Sequence, residues 1–314
     1  MTTVGIDVGG TKCLGVVVSD DGQVIAEQRR PTPRGPDSLR ALIDTLAELA
    51  DDLRGGSEAE LPVGVGVPGL VTRAGVLRAA PNLDGVADFD VAGLLGARLG
   101  RRVAVSNDAT CAALAEHRAG AGRGFADVVL VTLGTGIGGG LVLQGELQLG
   151  AHGFTGEYGH MVVDPDGPPC PCGRRGCWER YASGSGLARL AREAAVARRV
   201  GRVLELAGGD PDAVRGEMVQ QAAREGDRGA LAVIDEFGRW VALGLVNLTN
   251  ALDPSAFVLG GGLAAGADLY LAPIERWFGE LLYQPESRPR PVVRFADWGE
   301  RAGAVGAAWL ARGI

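Results

Sequence analysis

One layout occurs twice in this chain and limits what it can fold into. Residues 4–8 form a short apolar run, Gly9-Gly10-Thr11-Lys12 turns it, and residues 14–18 are apolar again. Residues 127–133 repeat the pattern through Gly134-Thr135-Gly136-Ile137-Gly138-Gly139-Gly140 into a second apolar run at 141–143. Short β-branched runs bounded by glycine read as strands. Laid over each other, residues 4–18 and 129–143 predict two related lobes, each offering a glycine turn to a cleft between them. At 314 residues the chain exceeds the usual single core, and clefts between lobes are where small ligands bind.

The rest of the chain alternates strand and helix. Asp20-Asp21-Gly22 turns into a third strand near residues 24–26, and residues 31–36 are a proline-rich loop. Leu39, Leu42, Ile43, Leu46, Leu49 and Leu53 then recur at helical spacing until Gly55-Gly56 ends the helix. Residues 61–67 and 103–105 read as buried strands. From Gly186 the chain turns helical, over 187–206 and 230–252, before a strand at 256–259, Gly260-Gly261-Gly262 and a last helix at about 302–310. Such alternation predicts an α/β architecture. The expected division is a small lobe of residues 1–106 plus about 302–314, and a large lobe of residues 107–301.

Glycine turns let backbone N–H groups approach an anion with no Cβ in the way, and Thr11 and Thr135 add hydroxyl donors. Tight hairpins use glycine for geometry alone, so the turns by themselves leave both readings open. Gly134, Gly136 and Gly139 match G-x-G-x-x-G, but that dinucleotide fingerprint opens a helix, whereas Leu141-Val142-Leu143 continues as a strand. No P-loop motif occurs. The net charge of −7, with Lys12 the only lysine, argues against a nucleic-acid surface. No run of about 18 apolar residues predicts a membrane helix, and the N-terminus has no signal-peptide character, which makes the cytoplasm the expected location.

Asp7 ends the first strand, where it can hold Mg²⁺ through water or cap a turn. Asp108 follows the strand at 103–105 and precedes a helix-like segment. By spacing alone it favours a helix cap over a general base for a sugar hydroxyl. Cys170, Cys172 and Cys177 fall within eight residues. In a reducing compartment such a cluster suggests metal more than disulfide, and with His160 it makes a closed tetrahedral set of three thiolates and one imidazole. Closed sets are structural rather than catalytic. Cys13 and Cys111 sit in apolar surroundings as packing residues, and His117 and His152 have no partner pattern.

Together, residues 7–12, 133–140 and 258–262 resemble the phosphate-1, phosphate-2 and adenosine motifs of the ROK family, named for repressors, open reading frames and kinases. Val67-Pro68-Gly69, Pro81-Asn82-Leu83 and Asn107-Asp108-Ala109 extend the likeness, which runs from about residue 4 to about residue 310. The family motif C-x-C-G-x-x-G-C-x-E is intact from Cys170 to Glu179. This resemblance implies an actin-like, hexokinase-like (ribonuclease H-like) ATPase fold with Asp108 as catalytic base. It implies sugar contacts from Gly69, Asn82, Asn107, Asp108, Glu157, His160 and Glu179. ATP is then expected at Asp7, Gly9, Gly10, Thr11, Lys12, Gly134, Thr135, Gly136, Gly260, Gly261 and Gly262, with Mg²⁺. Lys12 fits a phosphate contact or an exposed turn lysine. Zinc is expected at His160, Cys170, Cys172 and Cys177, with one imidazole nitrogen on the metal and the other toward the sugar.

The reaction implied is ATP-dependent phosphorylation of glucose at its 6-hydroxyl, because Glu157, His160 and Glu179 resemble the set in the family's glucose kinases. A kinase for fructose, mannose or an N-acetylated amino sugar is the alternative. A sugar-sensing repressor needs a helix-turn-helix ahead of the first glycine turn, and six residues precede Asp7. A polyphosphate donor calls for a basic groove, against the acidic balance. Family members are commonly dimers or tetramers, so a homo-oligomer is expected.

Overall fold

The structure, a computed structural model, describes residues 1–55, 61–80 and 85–313. The expected sugar residue Asn82, with Pro81 and Leu83, lies outside the described residues. The chain forms two compact units. One comprises Met1–Leu130, Gly139–Gly156 and Asp297–Ile314; the other comprises Val131–Gly138 and Glu157–Ala296.

The first repeat is the hairpin β1 (Thr3–Val8) and β2 (Lys12–Val18), continued by β3 (Val24–Pro31). β3 outruns its apolar start because residues from Glu27 to Arg30 keep pairing with β2 along an exposed edge. Then come α1 (Ser38–Arg54), β4 (Val63–Val67), the short strands β5 (Leu70–Val71), β6 (Val76–Ala79) and β7 (Phe89–Asp90), α2 (Val91–Leu99), β8 (Val103–Asn107) and α3 (Asp108–Ala119). Gly55, in the left-handed region at φ 61°, ends α1 where its spacing predicts.

The main sheet of this unit has the order β3-β2-β1-β4-β8, with β1, β4 and β8 mutually parallel. Its register places Asp7 beside Gly66, and Gly66 beside Ser106, so Asp7 and the end of β8 meet at the carboxyl edge of the parallel strands. That edge is where open α/β sheets bind ligands.

The second repeat is β9 (Val128–Leu133), β10 (Ile137–Leu143) and β11 (Glu146–Leu147), in a sheet of order β11-β10-β9-β12-β13. Helices α4 (Glu179–Ala182), α5 (Gly184–Val196), α6 (Gly201–Leu206), α7 (Gly216–Arg224) and α8 (Arg228–Leu252) precede β12 (Ala256–Gly260); α9 (Ala267–Leu281), β13 (Val292–Phe295) and α10 (Ala302–Leu310) follow it. The stretch expected as helical over 187–206 is two helices. Its apolar period runs through the break, but Arg198 turns left-handed at φ 54° and the amides of Arg198 and Arg199 bond back to Ala195 and Ala194.

Close packing explains the composition of α10, Ala-Gly-Ala-Val-Gly-Ala-Ala-Trp-Leu. A Cβ on Gly5 of β1 or Gly64 of β4 falls 1.9 Å from the Ala304 or Ala307 carbonyl, and one on Gly306 falls 1.6 Å from the Cys111 carbonyl of α3. Only glycine lets backbone meet backbone there. Helix α10 thus lies flush on the sheet and against the helix that begins at Asp108. Cys13 and Cys111 are buried packing residues, as expected. His117 differs: its Nε2 lies 3.0 Å from the Phe125 carbonyl, a partner that has no sequence signature.

Candidate active site

In the first unit, Asn107 closes β8 and caps α3. Its Oδ1 accepts from the Ala109 and Thr110 amides at 2.9 and 3.1 Å, and its Nδ2 donates to the Gly69 carbonyl at 3.1 Å. One amide therefore fixes both the start of α3, where Asp108 is the first residue, and the Gly69 turn. Gly69 itself has φ 107°, and a Cβ would stand 2.1 Å from the Ala79 carbonyl, so no other residue fits.

Asp7 faces this corner. Asp7 Oδ1 and the Asp108 Cα both lie about one van der Waals contact from where a Cβ on Gly66 would be, at 3.5 and 3.4 Å. Although the Asp7 side chain is only half-buried, its Oδ1 is sealed and has no hydrogen-bond partner among the described residues. Burial first, then the Asp108 carboxylate, push the Asp7 carboxyl up to about 8, with Lys12 pulling weakly the other way. Lys12 Nζ is itself bonded to Glu300 Oε2 at 2.6 Å, in an exposed network with Arg29. The β1–β2 turn is closed by the Gly9 amide on the Lys12 carbonyl, 2.9 Å. Gly10 is exposed, and a Cβ there would meet nothing within 4 Å.

In the second unit, the short 3₁₀ segment Tyr158–His160 sits on the glycine turn. A Cβ on Gly159 would be 2.4 Å from the Ile137 carbonyl, and one on Gly136 would be 2.7 Å from Glu179 Oε2. His160 turns Nε2 toward Glu157 Oε2, 3.9 Å away, and Nδ1 toward Glu179 Oε1 and Cys170 Sγ, 3.7 and 4.0 Å away. Loss of hydration raises the Glu157 carboxyl; His160 offsets this and Glu179 adds to it.

The donor atoms of His160, Cys170, Cys172 and Cys177 lie within 4.8 Å of one another, with Cys172 Sγ and Cys177 Sγ 3.5 Å apart. A tetrahedral shell with metal–sulfur bonds of about 2.3 Å has edges of about 3.8 Å. The observed spacings bracket that edge, so the four residues could hold a metal ion. Trp178 anchors the loop: it is fully buried, donates to the Trp240 carbonyl at 2.7 Å, and fills the space over Gly244 of α8.

A cavity of about 810 Å³ opens on the same turn. It is lined by Gly134, Thr135 and Gly262, by the α5 face carrying Arg189 and Arg192, by Arg215 just ahead of α7, and by Gln220 of α7. Gly261, at φ 82°, backs directly onto Leu133 at the start of the turn, with a Cβ position 2.7 Å from the Leu133 carbonyl. The adenosine-type and phosphate-type motifs therefore share one wall.

Compared with known proteins, the chain matches the ROK family model over residues 3–314. It belongs to the ROK family. The chain is 40% identical to a glucokinase of Streptomyces coelicolor, over 99% of this chain and 97% of that protein. A ROK family glucokinase from Streptomyces griseus, solved in complex with glucose and AMPPNP, matches with TM-score 0.86 and 38% identity, covering 100% of both chains. The ROK hexokinase from Thermus thermophilus gives TM-score 0.80 at 34% identity, covering 99% of this chain and 98% of that one. The α/β fold expected from the repeated strand–turn–strand layout is the ROK kinase fold.

Within this ROK chain the structure brings Asp7, Gly69, Asn107 and Asp108 together in one unit. It brings Glu157, His160, Glu179 and the three cysteines together in the other, next to Gly134, Thr135 and Gly136. The cavity also shows residues that sequence reasoning missed: Arg180, Arg189, Arg192, Arg215 and Gln220. Arg189 and Arg192 share a helical face with Ser185 and Ala188. Nothing local says that this face meets the turn, because the contact is made by the Gly184 amide on the Gly134 carbonyl, 2.7 Å, fifty residues away in sequence.

Proposed function

We propose that this chain is a glucokinase: it moves the γ-phosphoryl group of ATP to the 6-hydroxyl of glucose, with Asp108 as general base. The observation that carries the reading is the Asn107 amide, which fixes Asp108 and the Gly69 turn together, in a chain related over its full length to glucokinases.

In the reaction, Asp108 accepts the hydroxyl proton late, as the new oxygen–phosphorus bond forms and the bond to the departing diphosphate breaks. Backbone N–H groups of the Gly9–Thr11 and Gly134–Gly136 turns and the hydroxyls of Thr11 and Thr135 take the phosphate oxygens. Glu157, His160 and Glu179 accept and donate hydrogen bonds to sugar hydroxyls, so each mismatched hydroxyl leaves a polar group unpaired.

Asp7 is the residue that would hold Mg²⁺. Its unpartnered Oδ1 and the like charge of Asp108 beside it are chemistry that suits a bound dication. Bound Mg²⁺ supplies charge neutralisation for the transferring phosphoryl group. The closed Cys₃His set fits zinc, which fixes the loop carrying Glu157, His160 and Glu179 and has no part in the chemistry.

Two outcomes are expected. A coupled ADP-release assay across glucose, fructose, mannose, N-acetylmannosamine and N-acetylglucosamine should give the highest kcat/KM with glucose. A peak at another hexose would retain the kinase but reject the glucose assignment. Chelating the metal, or the substitution Cys172→Ser, should raise the glucose KM about 10-fold or more and lower Tm. If KM and Tm both hold, the cluster has no structural metal.

A further inference from the structure

We propose that Gln220, oriented by Tyr270 across Gly266, selects an adenine-bearing donor over a guanine-bearing one. The proposal rests on the kinase reading and on the donor nucleotide occupying the 810 Å³ cavity.

The cavity has a phosphate end and a far end. Its phosphate end is the Gly134–Thr135 turn, to which the first residue of α5 is bonded. The lining residues of α5 run from Gly184 to Arg192, a rise of about 12 Å along the helix. A Cβ on Gly216 would lie 3.3 Å from Leu187 of α5, and one on Gly266 would lie 3.4 Å from Gln220 Nε2, so α7 and the 262–266 segment flank the cavity beyond the turn, where the base of a nucleotide with its phosphates on the turn would reach. Leu263, Ala265 and Ala188 offer apolar surface for a flat ring, and the guanidinium groups of Arg192 and Arg215 can stack on it.

Among the residues at this end, Gln220 is the polar group with a fixed orientation. Its Nε2 donates to the Tyr270 hydroxyl at 2.8 Å. Tyr270 is fully buried and packs on Phe237, with ring centroids 5.3 Å apart. A Cβ on Gly266 would lie 2.7 Å from the Tyr270 ring and 3.4 Å from Gln220 Nε2, so glycine is what lets the pair form. One Nε2 hydrogen is held by Tyr270, which fixes the plane of the amide and leaves Oε1 as the acceptor it offers to a ligand. Among the described residues that oxygen has no hydrogen-bond partner, and it is not sealed from solvent. An acceptor held there takes the 6-amino hydrogen of adenine and repels the 6-oxo group of guanine. A site built around one hydrogen bond discriminates against analogues that cannot make it.

If Gln220 and Tyr270 only tied α7 to α9, removing the bond would weaken every donor equally. The test is kcat/KM for ATP, GTP and ITP, with direct calorimetric binding of ADP and GDP. The unaltered chain should favour ATP over both GTP and ITP by about 10-fold or more, with ADP over GDP in the same order. Tyr270→Phe and Gln220→Ala should each bring the ratios to within about 3-fold of unity, with glucose KM unchanged. Ratios that stay fixed in both variants, or no initial preference, would overturn the selector role. Because ADP and GDP binding is read without turnover, a failed selector and a failed kinase reading give different results.

Discussion

Asp108→Asn is expected to lower kcat about 10³-fold, with glucose affinity and Tm close to those of the unaltered protein. The carboxamide cannot take the hydroxyl proton, yet it keeps the size and most of the hydrogen bonding of the carboxylate. Sequence spacing left Asp108 open to two roles, base or helix cap. In the structure the capping oxygen belongs to Asn107, which accepts from the Ala109 and Thr110 amides, so removing the Asp108 charge leaves the cap in place. Asp108 Oδ1 also accepts from the Ala109 amide at 2.8 Å, a bond that the carboxamide oxygen of the variant can keep, so what is lost is the favourable interaction of an acid with a helix N-terminus, about 0.3–1 kcal/mol. The measurements are steady-state kinetics with ATP and glucose, glucose binding by intrinsic fluorescence, and a thermal melt. A kcat within about 10-fold of normal would remove the base assignment. A large fall in Tm would return Asp108 to a structural role.

The parts of this fold that sequence reveals are those encoded locally. The strand–glycine–strand repeats, the heptad-like leucines of α1 and its Gly55 stop, and α10 at residues 302–310 all carry their signal within a few residues. The Cys₃His cluster is similarly local, because three of its members share one loop and the fourth lies ten residues earlier. The short strands β5 to β7 and β13 were not apparent because strands of two to four residues have too few alternations to show a period. The break between α5 and α6 was hidden because apolar spacing continued through it.

Long-range convergence is also illegible in one sequence. Asp7 and Asp108 meet because β1, β4 and β8 are parallel in a register that puts side-chainless Gly66 between them. Likewise, Gln220 acquires a fixed face through Tyr270, fifty residues later. Its place at the end of the first strand left Asp7 open to Mg²⁺ or a turn cap, without showing that its oxygen is sealed and opposed by a second carboxylate.

That opposition has a thermodynamic sign that separates Asp7 from an ordinary structural aspartate. Its carboxyl is raised from 3.8 to about 8 in the folded chain, chiefly by burial and then by Asp108. A raised acid binds its proton more tightly folded than unfolded. Its contribution to stability is therefore complete below pH 3.8 and is lost as pH rises through about 8. At pH 8 in Mg²⁺-free buffer, Asp7→Asn should accordingly melt above the unaltered protein, while at pH 4 the two should coincide. Partial access of water to the side chain reduces the nominal effect to about 2 kcal/mol, which corresponds to about 4 °C or more. Mg²⁺ with ATP should stabilise the unaltered protein and leave the variant nearly unmoved, because the carboxylate that would face the cation is gone. Kinase activity should fall about 10²-fold or more in the same variant. Stability gained where activity is lost is the signature of a charge kept under strain for a ligand. If Asp7→Asn destabilises the chain equally at both pH values, Asp7 is a turn cap and the Mg²⁺ assignment fails.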